Sequence, residues 1–118
     1  MSGWVSSRTR RLDQRLVLET VEPVPDGAGG CVETWQALGT LWAEVSPRTG
    51  RQASGAAGAV ARNGYFVWVR GAADDSTARP RIGQRFLWAG RRLSIEAVSD
   101  EPPRGMYLKC ACTEEVAP

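Results

Sequence analysis

Apolar positions along this chain recur at alternate residues in short runs, and glycine, proline and aspartate separate the runs. In residues 15–22, Leu16, Leu18 and Thr20 fall on one face and Val17, Glu19 and Val21 on the other, the period of a strand. Residues 23–30 follow with two prolines, Asp26-Gly27 and Gly29-Gly30, the composition of a turn. Residues 32–45 are too β-branched and aromatic for a loop and predict a second strand. Its alternation is broken: Trp35, Ala37 and Leu41 share one parity, Leu38 and Trp42 the other. Gly39 between them predicts a bulge or a sharp bend.

Residues 65–70 give a third strand, with Tyr65, Val67 and Val69 on one face and Phe66, Trp68 and Arg70 on the other. Large groups on both sides imply that neither face is fully exposed. Residues 71–80 read as a polar turn or a very short helix. Residues 81–100 read as a hairpin closing at Ala89-Gly90, where glycine can take the left-handed conformation of a tight turn. On its second arm Leu93, Ile95 and Ala97 alternate with Arg92, Ser94 and Glu96. After the turn at residues 101–105, residues 106–113 form the last strand, with Leu108, Cys110 and Cys112 facing inward.

Six strands with turns rich in Gly, Pro and Asp predict an all-β fold. Small all-β chains protect their edges by closing, so a compact antiparallel β-barrel is expected. At 118 residues the chain suits one domain. Residues 1–11 are read as a basic N-terminal arm and residues 12–118 as the barrel. The connection 46–64 is several times longer than most links between neighbouring strands, which marks it as functional or disordered.

The formal charge is only +2, yet the 15 cations include a single lysine, Lys109; the rest are arginines, suited to bidentate contacts at interfaces and with phosphate. Residues 46–64 hold Arg48, Arg51 and Arg62 and no acid. These three are candidate DNA-facing residues, although a solvated loop with incidental arginines accounts for them equally well. Arg8, Arg10, Arg11 and Arg15 form a candidate interface arm, since such termini order on meeting a partner. Four of the five tryptophans lie within strands and read as core rather than as base-stacking platforms; of these Trp88, beside a hairpin turn, is expected to be the exposed one.

Other chemistry finds little support. The chain has no histidine, the commonest general base and metal ligand. Asp74-Asp75 and Asp100-Glu101 sit in turns, where acids are ordinary, so no catalytic residues are assigned. The spacing Cys110-Ala111-Cys112 places two thiols on one strand face rather than in a zinc knuckle, and no metal or cofactor is expected. An odd number of cysteines, three, suits a reducing compartment. No stretch approaches the roughly 18 apolar residues of a membrane span, and the first residues lack a signal peptide's apolar core. An intracellular, soluble protein with no membrane partner is expected.

Taken in order, these pieces resemble the head-tail connector proteins of tailed phages and gene transfer agents, also called head-closure or stopper proteins. The matching segments are residues 12–18, Asp26-Gly-Ala-Gly-Gly30, Trp35, and Leu41-Trp-Ala-Glu-Val-Ser-Pro-Arg-Thr-Gly50. They continue with residues 65–70, Arg81-Ile82, Leu93-Ser-Ile-Glu-Ala-Val98, and Gly105-Met-Tyr-Leu108 with the acidic end. The Trp-Ala-Glu-Val-Ser-Pro segment is the most specific. The Ala-rich residues 52–61 do not match at residue level, and the arm is richer in arginine than the family pattern.

The resemblance implies a homo-oligomeric ring of about six or twelve copies at the neck of a virion or virus-like particle assembled in the bacterial cytoplasm. Its partners would be the portal-adaptor complex on the head side, the tail terminator on the tail side, and double-stranded DNA in the channel, which the long loop would help retain. No enzymatic activity is implied. A free-standing β-barrel that binds nucleic acid, or a neighbouring adaptor or tail-terminator ring protein, remains open at this point.

Overall fold

The computed structural model describes residues 10–48, 63–102 and 105–115. Six strands follow in chain order: β1 (Gln14–Pro25), β2 (Cys31–Pro47), β3 (Gly64–Arg70), β4 (Arg85–Trp88), β5 (Arg91–Glu101) and β6 (Tyr107–Glu114). All pairs are antiparallel, and the order β1-β2-β3-β6-β5-β4 closes into a barrel through β1 and β4. The all-β barrel expected from the alternation is therefore the observed architecture, and residues 71–80 are turns without a helix.

The interior is built from the predicted parities. Leu16 and Leu18, Val67 and Val69, Leu93 and Ile95, and Leu108, Cys110 and Cys112 are all buried, with Phe86 of β4 fully enclosed among them. Truncating such a phenylalanine to alanine would cost about 3–5 kcal/mol, because the cavity left behind collapses only in part.

Two bulges set the geometry. Leu18 pairs with Gly39 but Glu19 pairs with Ala37, so β2 carries one extra residue, Leu38, beside a glycine at φ 156° that other residues rarely adopt. This is the predicted irregularity, and it explains the broken parity of β2. The second bulge was not expected. Ile95 pairs with Cys112 and Ala97 with Ala111, which leaves Glu96 as the extra residue of β5. The phase flips there. Ala97 is exposed and Val98, rather than Ala97, packs against the core. At the β4–β5 turn Ala89 and Gly90 both take positive φ, 51° and 83°, as the tight turn requires.

The first turn is shorter than the composition suggested. Pro23 and Pro25 belong to β1, opposite Glu33 and Cys31, and only residues 26–30 turn. Prolines are tolerated in a strand whose outer edge makes no ladder. That condition holds here: β1 pairs with β4 only at Val17–Glu19, and β2 pairs with β3 only from Ala43 to Pro47. The distal halves of β1 and β2 therefore leave the barrel as a two-stranded ribbon.

Candidate nucleic-acid interface and assembly surfaces

The long β2–β3 connection leaves and re-enters the barrel at one end, and both its feet are pinned. Arg48 N donates to Gly64 O at 2.8 Å, and Glu114 N donates to Asn63 O at 2.8 Å, with Asn63 Nδ2 returning a bond to Glu114 Oε1 at 3.2 Å. The Arg48 guanidinium turns back over the foot. It donates to Thr113 Oγ1 at 3.3 Å, lies 4.0 Å from Glu96 Oε1 and sits over Phe66. A Cβ on residue 64 would meet this guanidinium at 2.6 Å, so glycine there makes the room. Arg48 is thus half-engaged within its own barrel. Arg51 and Arg62 lie outside the described residues.

The neighbouring rim mixes both signs. Arg91 Nη1 donates to the Tyr65 hydroxyl at 3.0 Å, and its Nε lies 3.9 Å from Glu114 Oε2. The Trp88 Nε1 donates to Gln14 Oε1 at 3.0 Å, while its ring meets Tyr65 edge-on at 5.4 Å. Trp88 is accordingly half-buried. The exposed tryptophan among the described residues is Trp42, at 54%.

The candidate arm divides into residues with different environments. Arg8 lies outside the described residues. Arg10 lies over the Trp68 ring, 4.0 Å from its centroid, and reaches Glu101 Oε2 through Nε at 2.8 Å and Glu44 Oε2 through Nη1 at 3.2 Å. Trp68 Nε1 donates to the other Glu101 oxygen at 2.9 Å. This closes a network on the outer face of β3 and explains why Trp68, although it points away from the core, is buried. Arg11 donates its backbone N–H to Glu44 Oε1 at 2.9 Å and accepts from Asp13 N at its carbonyl, and the residue is exposed. Arg15 is exposed on β1, directly across from Trp42.

The electrostatics follow these contacts. Burial disfavours the charge on Glu101, but the Trp68 and Arg10 hydrogen bonds outweigh it and hold its carboxyl below the ordinary value. Asp26, in the β1–β2 turn, is lowered by the backbone N–H groups of Ala28 and Gly30, which both donate to Oδ1. Burial pushes the Cys110 thiol up to about 12 and raises Cys112 as well, so neither is a ready thiolate. Cys31 is exposed where β2 begins, so the fold does not gather the three cysteines.

Sequence reasoning missed the Arg10 network and a second clamp at the base of the ribbon. There Arg85 lies 4.0 Å over Trp35 and donates to Glu19 Oε1 at 2.8 Å. Both join residues far apart in the chain, which no local pattern signals.

Comparison with known proteins decides the family. The chain matches the phage head completion proteins over residues 8–115. It belongs to that family. A protein from the virion of a native gene transfer agent particle is 39% identical, with a TM-score of 0.76 over 92% of this chain and all (100%) of that one. Protein SF1141 from Shigella flexneri 2a is 25% identical, with a TM-score of 0.69 over 92% of this chain and 96% of that one. No curated protein matches the chain. As a head completion protein it has a structural role in a phage-type particle.

Proposed function

We propose that this head completion protein forms a ring at the neck, joining the portal-adaptor complex to the tail of a phage or gene transfer agent and helping to retain packaged DNA. The observation that carries the reading is the pinned loop. Its two feet are fixed at one end of a closed barrel by the Arg48–Gly64 and Asn63–Glu114 hydrogen bonds, and we read residues 49–62 as the segment that meets the channel. In a ring, arginines 51 and 62 of every copy would converge on the channel axis, with Arg48 at the foot. Duplex DNA carries a charge about every 1.7 Å, and such a collar holds it by neutralising phosphates rather than by reading bases. The likeness to a gene transfer agent virion protein supports a place in such a particle.

Electron microscopy of particles with a labelled copy of this chain tests the placement. Label is expected at the neck, between the head and the tail. Label distributed over the head shell, or confined to the distal tail, contradicts it.

A further inference from the structure

The ribbon that leaves the barrel is chemically one-sided. Between Arg15 and Arg48 the sequence contains Glu19, Glu22, Asp26, Glu33 and Glu44 and not one cation. Beyond the bulge Glu22, Asp26 and Glu33 are exposed, and Val24 and Val32, paired across the ribbon, are 37% and 50% exposed. Among the described residues, no other strand pairs with either edge of this ribbon past Glu19 and Ala43. A bare two-stranded ribbon with an apolar pair is marginal alone in water, and its open edges and valines call for a partner.

A matching surface lies on the same chain at the ribbon's base. A cleft of about 440 Å³ opens between Leu41, Trp42, Val69, Ala72 and Ala78, and among the described residues the only charged one lining it is Arg70. Arg70 is exposed, and exposed Arg15 stands across from Trp42 at the same rim. Trp42 leaves more than half its surface in water. An apolar cleft rimmed by arginine complements an apolar pair that has the Glu22 carboxylate beside it on the same face.

The ribbon cannot fill its own cleft. From Trp42 to Cys31 the strand runs 11 residues outward, about 36 Å at roughly 3.3 Å per residue. The tip and the cleft therefore meet only between copies. A contact that joins the tip of one molecule to the base of the next is heterologous, the kind that closes into a ring.

We propose that residues 22–33 of one copy dock into the Trp42–Arg70 cleft of the next, with Val24 and Val32 against Trp42 and Glu22, on the same face of the ribbon, toward Arg70 and Arg15. The inference rests on the ring reading above and gives that ring its subunit contact. Each copy donates a ribbon and receives one.

A cysteine on the docking face makes the contact testable. In particles carrying Val32→Cys and Ala78→Cys in a Cys31→Ser background, mild oxidation should link residue 32 of one copy to residue 78 of its neighbour and give a ladder of dimers, trimers and higher multiples on a non-reducing gel. The ladder should vanish when Val32 is restored. A Glu22→Arg variant should fold normally but weaken incorporation into particles at least tenfold, and Arg70→Glu in the same chain should restore part of it. Products that stop at the dimer would indicate a two-fold contact and overturn the proposal. So would links only to a different protein, or no link in particles that hold the chain at the neck. A ladder in particles that carry the chain elsewhere would refute the neck placement and leave the contact standing.

Discussion

Arg10 lies 4.0 Å above the Trp68 ring while Trp68 donates its indole N–H to the carboxylate that Arg10 also grips, Glu101. The start of the described chain is thereby tied to β3 and to the end of β5. A residue that looks from sequence like part of a loose basic arm covers a tryptophan on the outside of the barrel.

Replacing Arg10 should therefore cost fold stability. A largely desolvated cation–π contact and a hydrogen-bonded ion pair together are worth about 1–3 kcal/mol. Arg10→Ala should lower the urea midpoint accordingly and raise the solvent exposure of Trp68 seen by fluorescence quenching. Arg8→Ser and Arg11→Ser should leave the midpoint unchanged, which makes them the clean probes of docking to a ring neighbour. A midpoint unmoved by Arg10→Ala would show that the network holds nothing together.

The same network predicts an acid response. Glu101 is held below its ordinary value of 4.5 in the folded protein. A depressed carboxylate contributes stability that is fully present above its unfolded-state value and is lost as pH falls through the folded one. Unfolding free energy should thus decline below about pH 4.5, and Glu101→Gln should flatten that decline while lowering stability at neutral pH. Parallel pH profiles for the two proteins would rule the effect out.

Thiol chemistry separates the three cysteines. In the native state one thiol, Cys31, should react promptly with a disulfide reagent, while Cys110 and Cys112, buried and with raised values, should react only on unfolding. Chelators should leave the melting curve unchanged. Fast modification of all three cysteines in the folded protein would contradict the packing of β6.

Much of this was legible where the signal is local. Ala89-Gly90 announces its turn, Gly39 its bulge, and the Leu108-Cys110-Cys112 parity its buried face. What could not be read depends on contacts distant in sequence. Glu96 has no glycine beside it to mark the second bulge, so Ala97 was placed on the wrong face. Pro23 and Pro25 look like turn residues until the ribbon's unpaired edge is seen to tolerate them. Trp88 is covered by Gln14 and Tyr65, and Trp42 is left in the open, through pairings that only the closed barrel defines.

The barrel should stand without its long loop, because the core is built from the six strands and the loop's feet are pinned by backbone bonds. Replacing residues 49–62 by a short Gly-Ser linker should preserve β-type circular dichroism and cooperative unfolding. Loss of both would mean that the loop is part of the fold.

DNA retention in assembled heads is the most direct test of the loop's proposed role. Arg48→Ser/Arg51→Ser/Arg62→Ser should leave ring assembly intact and let finished heads lose DNA before tails attach, more so at high salt, where the remaining phosphate contacts are screened. Because Arg48 also binds Thr113 at the loop's foot, the Arg51→Ser/Arg62→Ser pair should show most of the same leakage. If heads carrying the triple variant keep their DNA as the parent does at every salt concentration, loop charge does not close the channel, and the cationic collar is wrong.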